Sequence, residues 1–428
     1  MTTASHRFSF CLRETMQASL LVVTILCFGI VFFSQAVAAQ TFTVLHSFAP
    51  QGDGYEPQSG LIMDARGNLY GTTFKGGQNY DDGGVAYKVS HAQGGWVSNL
   101  LTEFNPGQNG YAPQARLTFG PNSATIYGTT EFGGNDGCSG YGCGTVFELT
   151  PRTTPPPGEP GFDERTTIYR FSGPDGNWPL GEVIFDPNGN IFGTTPDGGT
   201  HDGGTVFELA RVGTQWRHSV LYNFTGFADG AQPLAGLIMD SAGNLYGTND
   251  QGGGSCYCGV VFELSPSSGG WTYHVLHTFE PPTDGGWPYA GLTLDAAGNL
   301  YGTTSGAGPA GGGTVFELSP VAGGWNFQVI YALSEQQRYA PQGGVVLDAA
   351  GNVYATTSGG GQYFQGSVFK LIRQNGTWVF TLLHDFQGIP DGAVPKGNLL
   401  LDAAGNLYGT ASGGGEHASG SVWEISPQ

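Results

Sequence analysis

The sequence predicts an all-β protein, a seven-bladed β-propeller of four-stranded antiparallel blades, and three observations support this prediction. One unit recurs seven times along the chain, each copy holds four short strand candidates separated by turn signals, and the two chain ends supply complementary parts of one copy. A unit of this length cannot bury its own apolar face, so the copies must stack against one another. Four antiparallel strands per unit are typical of a propeller blade.

The repeat is clearest at residues 291–304, which read Gly-Leu-Thr-Leu-Asp-Ala-Ala-Gly-Asn-Leu-Tyr-Gly-Thr-Thr, followed by Gly-Thr-Val-Phe-Glu-Leu at 313–318. An Asp-x-x-Gly-Asn turn marks every copy but the second, and its last five aspartates are 54, 55, 53 and 54 residues apart. These aspartates are Asp64, Asp186, Asp240, Asp295, Asp348 and Asp402. Copy two replaces the turn and is lengthened by residues 151–164. The period is too long for a coil of a β-helix.

Copy four illustrates the four strands, which we name A to D. Strand A covers residues 236–240 and strand B residues 244–248; an Asp/Gly/Asn turn joins them, as a tight hairpin requires. Strand C covers residues 260–264, and a Gly-Gly turn leads to strand D at 273–279. No segment keeps an apolar i, i+3, i+4 spacing across the 74 glycines of the chain, which excludes helices.

The ends of the chain predict how the ring closes. The first element, residues 42–48, has the pattern of a D strand, whereas the last, residues 421–425, is a C strand. We therefore expect one propeller domain over residues 40–428, in which the N-terminal strand completes the last blade and removes an open sheet edge.

The first 39 residues predict a signal peptide. Arg7 and Arg13 precede an apolar run over residues 20–33, and the small residues 36–39 follow. We expect cleavage after Ala38 or Ala39 and a secreted, extracellular or periplasmic protein. The alternative is an uncleaved membrane anchor, for which the apolar run is short.

The charge balance bears on partners. Fifteen basic residues stand against 34 acidic ones, a formal net charge of −19, so we expect neither nucleic acid nor an anionic membrane surface as a partner. Acidity of this kind favours solubility. We expect a monomer without a bound cofactor, calcium excepted.

The repeat resembles a known family. Gly-Asn-Leu-Tyr-Gly-Thr-Thr followed by a Gly-Gly tract and Gly-Thr-Val-Phe-Glu-Leu is similar to the GloVer (Gloeobacter–Verrucomicrobia type) tandem repeat. The matching stretches are 67–89, 189–209, 243–264, 298–318, 351–371 and 405–425. The resemblance implies an exported bacterial β-propeller-like repeat protein. It implies no activity and no catalytic residue.

Four cysteines follow the leader, and they form two close pairs. Cys138 and Cys143 lie in copy two, Cys256 and Cys258 in copy four, each pair just before a C strand. Export favours two local disulfides, although the second would close a very small ring. A zinc site sharing all four would require copies two and four to meet.

The loops between strand D and the next strand A carry a repeated aspartate. It lies four residues before a proline, and the five examples are Asp53, Asp175, Asp229, Asp284 and Asp391. One interpretation is an Asp-Gly turn, in which the carboxylate binds nearby backbone N–H groups. The other is a calcium-binding mouth, because hard cations prefer carboxylate oxygens.

The same loops contain aromatic residues, namely Tyr55, Tyr111, Trp178, Trp287 and Tyr339. Aromatic side chains can stack on sugar rings while neighbouring polar groups bind the hydroxyls. The alternative is that these rings fill gaps between blades.

Recognised catalytic motifs are absent from the sequence: there is no Gly-x-Ser-x-Gly elbow, no His-Glu-x-x-His and no phosphate loop. We therefore expect a non-catalytic binding or scaffold propeller that engages a glycan or another exported protein through its loop-rich face. The alternative is a carbohydrate-active or lactone-hydrolysing propeller with a metal in the central channel, whose site should break the symmetry, most readily in copies two and six.

Overall fold

A computed structural model describes residues 40–50, 52–77, 83–107, 109–151, 162–334 and 340–427. Within these ranges, 28 β-strands form seven separate four-stranded antiparallel sheets. The all-β propeller prediction is therefore confirmed. The predicted signal peptide, residues 1–39, lies outside the described residues.

Each blade takes its strands in chain order from the innermost to the outermost, except the last. Blade 1 comprises β2 (Ile62–Met63), β3 (Leu69–Thr73), β4 (Val85–Ala92) and β5 (Gly95–Glu103); blade 2 comprises β6 (Thr118–Phe119), β7 (Ile126–Thr130), β8 (Thr145–Pro151) and β9 (Phe162–Arg170); blade 3 comprises β10 (Ile184–Phe185), β11 (Ile191–Thr195), β12 (Thr205–Val212) and β13 (Gln215–Asn223). Blade 4 comprises β14 (Ile238–Met239), β15 (Leu245–Asn249), β16 (Val260–Ser267) and β17 (Gly270–Thr278); blade 5 comprises β18 (Thr293–Leu294), β19 (Leu300–Thr304), β20 (Gly311–Val321) and β21 (Gly324–Ser334); blade 6 comprises β22 (Val346–Leu347), β23 (Val353–Thr357), β24 (Ser367–Gln374) and β25 (Thr377–Asp385).

Blade 7 closes the ring as predicted. Its own strands are β26 (Leu400–Leu401), β27 (Leu407–Ala411) and β28 (Ser421–Ser426), and its outer strand is β1 (Thr41–Ser47) from the start of the chain. The closing strand leaves no unpaired C-strand edge. Residues 42–426 form one compact unit.

Strand lengths differ from the sequence-based bounds. The innermost strand of blade 4 is only Ile238–Met239, whereas residues 236–240 were expected. It is short because Asp240 already closes the hairpin turn: its backbone N–H donates to Asn244, and its carboxylate accepts from the N–H groups of Ala242 and Asn244. The outer strands are longer than expected, because strands C and D form a hairpin that continues beyond the core, as at Val260–Ser267 and Gly270–Thr278.

The core lies in the second and third strands. All five residues of strand B are buried in every blade. In six blades the central residue of strand B is a glycine that faces an aromatic ring of strand C, and a Cβ on Gly302, for example, would lie 2.5 Å from Phe316. Burial on both faces explains why these strands lack polar alternation. None of the helices in the described ranges is long and apolar enough to cross a bilayer.

Candidate functional site

The D-to-A and B-to-C connections lie on one face of the ring, which we call the loop face. The two connections pair with each other in single antiparallel bridges, for example Tyr55 with Lys75 and Ala231 with Gln251. The candidate residues predicted on these loops therefore share one surface.

The five predicted loop aspartates each close their own loop. Asp53, Asp284 and Asp391 accept from the Nε2 atoms of histidines in the preceding outer strand at 2.6, 2.8 and 2.9 Å, from His46, His277 and His384 respectively. Tyr169 and Tyr222 take the histidine's place beside Asp175 and Asp229. A backbone N–H two residues after the strand also donates to each carboxylate, and in four of the five loops it reaches the second oxygen, as from Glu280 to Asp284 at 2.7 Å.

We call each loop aspartate, with the groups that donate hydrogen bonds to it, a loop clasp. The side chains of these clasps are partly buried. Burial lowers the pKa of His277, against the opposing effect of Asp284, and it lowers the pKa of His384 in the same way. Neutral imidazoles can serve as hydrogen-bond donors to the carboxylates. Among the residues described, no three His, Cys, Asp or Glu side chains lie close enough to hold one metal ion. Calcium binding by the loop aspartates stays a prediction.

In six copies the backbone N–H of the residue before the loop proline joins two neighbouring blades. Trp178 and Trp287 occupy this position and adopt φ values of 58° and 59°, which bulky residues rarely do. The backbone N–H of Trp178 donates to the carbonyl oxygen of Cys143 at 2.9 Å, and that of Trp287 to Cys258 at 2.8 Å. Each tryptophan thus lies against a cysteine loop of the preceding blade.

The cysteine loops present tyrosines to solvent. The Sγ atoms of Cys138 and Cys143 are 2.04 Å apart, and Cys256 and Cys258 are likewise adjacent. Tyr141, between the first two cysteines, is 60% exposed, and Tyr257, between the second two, is 50% exposed. Both disulfides remain predictions.

An aromatic cluster forms around the first cysteine loop, residues 138–143, and we call it the first platform (Tyr111, Phe132, Tyr141 and Trp178). The Phe132 ring lies at its centre, with centroid distances of 5.4 Å to Tyr111, 5.6 Å to Tyr141 and 6.2 Å to Trp178. The indole Nε1 of Trp178 donates to the carbonyl oxygen of Gly142 at 3.1 Å, which fixes the ring over the loop. The second platform is the corresponding pair, Tyr257 and Trp287.

The five predicted aromatic residues do not form one equivalent ring. Tyr55 and Tyr111 lie two residues before their prolines and bridge Lys75 and Phe132, whereas Trp178 and Trp287 lie one residue before theirs. Tyr339 lies outside the described residues. The structure brings Tyr111 and Trp178 together and separates them from Trp287.

Each platform is accompanied by a carboxyl group directly after strand B, half-buried at Glu131 and buried at Asp250. Burial raises the pKa of Glu131 to about 7, although Gln114 donates to it. Burial raises the pKa of Asp250 to about 6, and its Oδ1 atom is buried without a hydrogen-bond partner. Burial and the nearby Tyr141 and Glu131 raise the pKa of Tyr111.

Sequence reasoning missed Phe132, Tyr141, Tyr257, Glu131 and Asp250. A signal for the carboxyl groups was present, because copies two and four carry both the cysteines and an acid directly after strand B. The equivalent residues in the other copies are Phe74, Pro196, Ser305, Ser358 and Ser412. No sequence pattern within one copy predicts the contact between a cysteine loop and the tryptophan of the next blade, because the two residues belong to different copies.

Comparison with known proteins confirms the resemblance noted in the sequence. The Gloeobacter/Verrucomicrobia repeat matches residues 29–157, 141–347 and 322–428. No curated protein matches the chain in sequence.

Solved structures share the fold at low sequence identity. A candidate 6-phosphogluconolactonase of Bacteroides uniformis is 17% identical, with a TM-score of 0.50 over 83% of this chain and 90% of that chain. PorZ, a surface component of the type-IX secretion system of Porphyromonas gingivalis, is 13% identical, with a TM-score of 0.51 over 89% of this chain. The chain spans about half of PorZ, 48% of its length. At these identities the likeness concerns the fold alone.

Proposed function

This chain belongs to the Gloeobacter/Verrucomicrobia repeat family, and from that premise we propose that it is an exported, non-catalytic binding propeller whose loop face holds a carbohydrate on the two platforms. The observation that carries the proposal is that each of these tryptophans is bonded through its backbone to a cysteine loop that exposes a tyrosine, Tyr141 in one loop and Tyr257 in the other.

The platforms are additions to the repeat. The residue two positions after strand B is Phe132 in the first platform, whereas the equivalent bridge partners in other blades are Lys75, Asp197, Gln251, Gly306 and Gly413. Blade packing therefore does not require an aromatic ring there. Exposed aromatic groups that the fold does not need are a common mark of binding sites.

The chemistry around the first platform suits a sugar. Tyrosine and tryptophan offer an apolar face together with an O–H or N–H group, so they can cover the C–H face of a sugar ring and bind its edge. Gln114 and Glu131, joined by a hydrogen bond beside the cluster, add an amide and a carboxyl group that can donate to or accept from hydroxyls. A glycan is favoured over a protein partner because both platforms are small and polar at their edges.

The test is a binding screen of the purified protein against a glycan array, followed by calorimetry with the best ligand. Trp178→Ala and Trp287→Ala should each weaken binding, and the double variant should weaken it most. Phe364→Ala is a matched control, since Phe364 is 62% exposed in a loop after strand B but has no cysteine loop beside it. Unchanged affinity in both tryptophan variants, with an unchanged melting temperature, would exclude the platforms.

A second candidate function is hydrolysis of the bound carbohydrate. It is favoured by Glu131 and Asp250, because a carboxyl group with a raised pKa can act as a general acid near neutral pH. The other version of this function, a metal in the central channel, finds no group of three His, Cys, Asp or Glu side chains among the described residues that could hold the ion. Release of reducing sugar that Glu131→Gln abolishes, without loss of binding, would establish an enzyme.

A further inference from the structure

The axis of the ring contains a cavity system distinct from the platforms. Two overlapping cavities of about 640 and 570 Å³ share Thr293, Leu294, Val346 and Leu399 in their walls. These volumes lie in the range of about 300–1,000 Å³ that is typical of small-molecule sites. We call this space the axial cavity.

The walls of the axial cavity are mainly aliphatic. The innermost strands contribute pairs such as Ile238–Met239, Val346–Leu347 and Leu400–Leu401, and each of these residues is only partly buried. Partly exposed apolar side chains in a concave space favour an apolar occupant.

A narrow ring of residues, which we call the collar, separates the axial cavity from the loop face. Its glycines are Gly60, Gly181, Gly236, Gly291 and Gly397. The space at the collar is only about 120 Å³. A Cβ atom on Gly60 would lie 2.6 Å from the carbonyl oxygen of Asn398, and one on Gly236 would lie 2.6 Å from that of Glu182. Because the blades meet so closely here, a ligand in the axial cavity does not reach the platforms.

Arg116 lies at the inner end of the axial cavity, next to the collar, and it lines both of the overlapping cavities. The equivalent residues of the other copies are Gly60, Glu182, Gly236, Gly291, Gly344 and Asn398. Its Nε atom donates to the carbonyl oxygen of Leu61 at 3.0 Å, and its Nη1 atom is 4.0 Å from Glu182. A guanidinium group has five N–H donors, so this arrangement leaves donors that can bind a carboxylate.

The far end of the axial cavity carries the opposite charge. Asp295 and Asp348 line it, and both carboxylates accept hydrogen bonds from their own turns. Lys370 lies 3.6 Å from Asp348 and offsets part of that charge. Glu182 also lines the cavity and offsets part of the charge of Arg116, so it is the remaining N–H donors of the guanidinium group that favour an anionic group beside Arg116 over one at the turn end.

We propose that the axial cavity binds an anionic amphiphile, a monocarboxylate with an aliphatic or aromatic body. The carboxylate pairs with Arg116, and the apolar body lies along Leu294, Val346 and Leu347. This site is independent of carbohydrate binding at the platforms.

The experiment is calorimetry of the full chain with decanoate, decanol and acetate. Decanoate should bind with one-to-one stoichiometry, decanol at least about tenfold more weakly because it lacks the charge, and acetate without measurable heat because it lacks the apolar body. Arg116→Gln should weaken decanoate about tenfold while leaving decanol unchanged. No heat with decanoate, or equal affinity for decanoate and decanol, would overturn the proposal.

Three further variants keep the result interpretable. Lys396→Gln removes a cation that lines the collar but not the axial cavity, so decanoate affinity should not change. Leu347→Trp should fill the cavity and abolish binding of decanoate and decanol; if it does not fold, Arg116→Gln still decides. Trp178→Ala should leave decanoate affinity intact, which separates this site from the proposed carbohydrate function. Equal losses in Lys396→Gln and Arg116→Gln would show general charge attraction and overturn the site.

Discussion

The hydroxyl group of Thr410 donates a hydrogen bond to the carbonyl oxygen of Ser59 at 2.7 Å and so joins blade 7 to blade 1 across 351 residues. The same threonine of strand B reaches the next blade in five other copies, through Thr72, Thr129, Thr194, Thr248 and Thr303. In copy six the equivalent hydroxyl, on Thr356, is buried without a partner. Six bonds of one kind therefore link neighbouring blades around the axis.

The first prediction compares two of these threonines. Thr410→Val should lower the free energy of unfolding by about 1–2 kcal/mol, because it removes a buried hydrogen bond and leaves the Ser59 carbonyl without this donor. Thr356→Val should be neutral or stabilising, because its hydroxyl has no partner to lose. Urea unfolding of the two variants provides the measurement. Equal losses would mean that the inter-blade bond contributes nothing.

The second prediction concerns Tyr87. Its side chain is fully buried and its hydroxyl has no hydrogen-bond partner, while copies two to six have phenylalanine at this position. Tyr87→Phe should raise the free energy of unfolding by about 1 kcal/mol, since a buried hydroxyl no longer has to be desolvated. Tyr408→Phe is the control and should be destabilising, because that hydroxyl donates to Glu424 at 3.1 Å. A destabilised Tyr87→Phe would contradict this account.

The third prediction is a pH dependence of stability. Burial raises the pKa of Glu131 from 4.5 to about 7, so the folded state binds more protons than the unfolded state between these values. The contribution of Glu131 to stability is fully present below pH 4.5 and is lost as the pH rises through about 7. Glu131→Gln should remove that part of the slope, measured by urea unfolding across this interval. Parallel curves for the variant and the parent would show that Glu131 does not titrate there.

The fourth prediction tests the loop clasps against calcium. Asp284→Ala should destabilise the protein by about 1–3 kcal/mol, because His277 and the backbone N–H of Glu280 lose their acceptor. A chelator should leave the melting temperature of the parent unchanged if the carboxylate serves only as a clasp. A rise in melting temperature with calcium that Asp284→Ala abolishes would instead support the cation-binding interpretation.

The fifth prediction concerns the first cysteine loop. A variant with both Cys138→Ser and Cys143→Ser should bind the glycan more weakly, because Tyr141 would no longer be held beside Phe132. Thiol titration of the unreduced parent checks the premise and should detect no free cysteine among the four. Full glycan affinity in the double variant would show that the disulfide does not order the platform.

The sequence alone determined the architecture, because propeller blades are built from local hairpins. Asp240 and Asn244 are four residues apart, and the turn between them closes with bonds that the Asp-x-x-Gly-Asn pattern specifies. The unpaired C strand of the last copy also determined that residues 42–48 close the ring, since only one strand pattern was missing. Strand ends were less predictable, because neighbouring blades decide where pairing stops.

The tertiary structure alone decided which side chains form the candidate sites. Trp178 and Cys143 belong to different copies, and they meet because the loop before Pro179 crosses to the preceding blade. The position of Arg116 at the axis is likewise visible only in the folded ring. Residues from all seven copies converge there on a collar that leaves room for few side chains. A repeated sequence defines what every blade has in common, whereas the candidate sites lie where unlike copies touch, and those contacts depend on the closed ring.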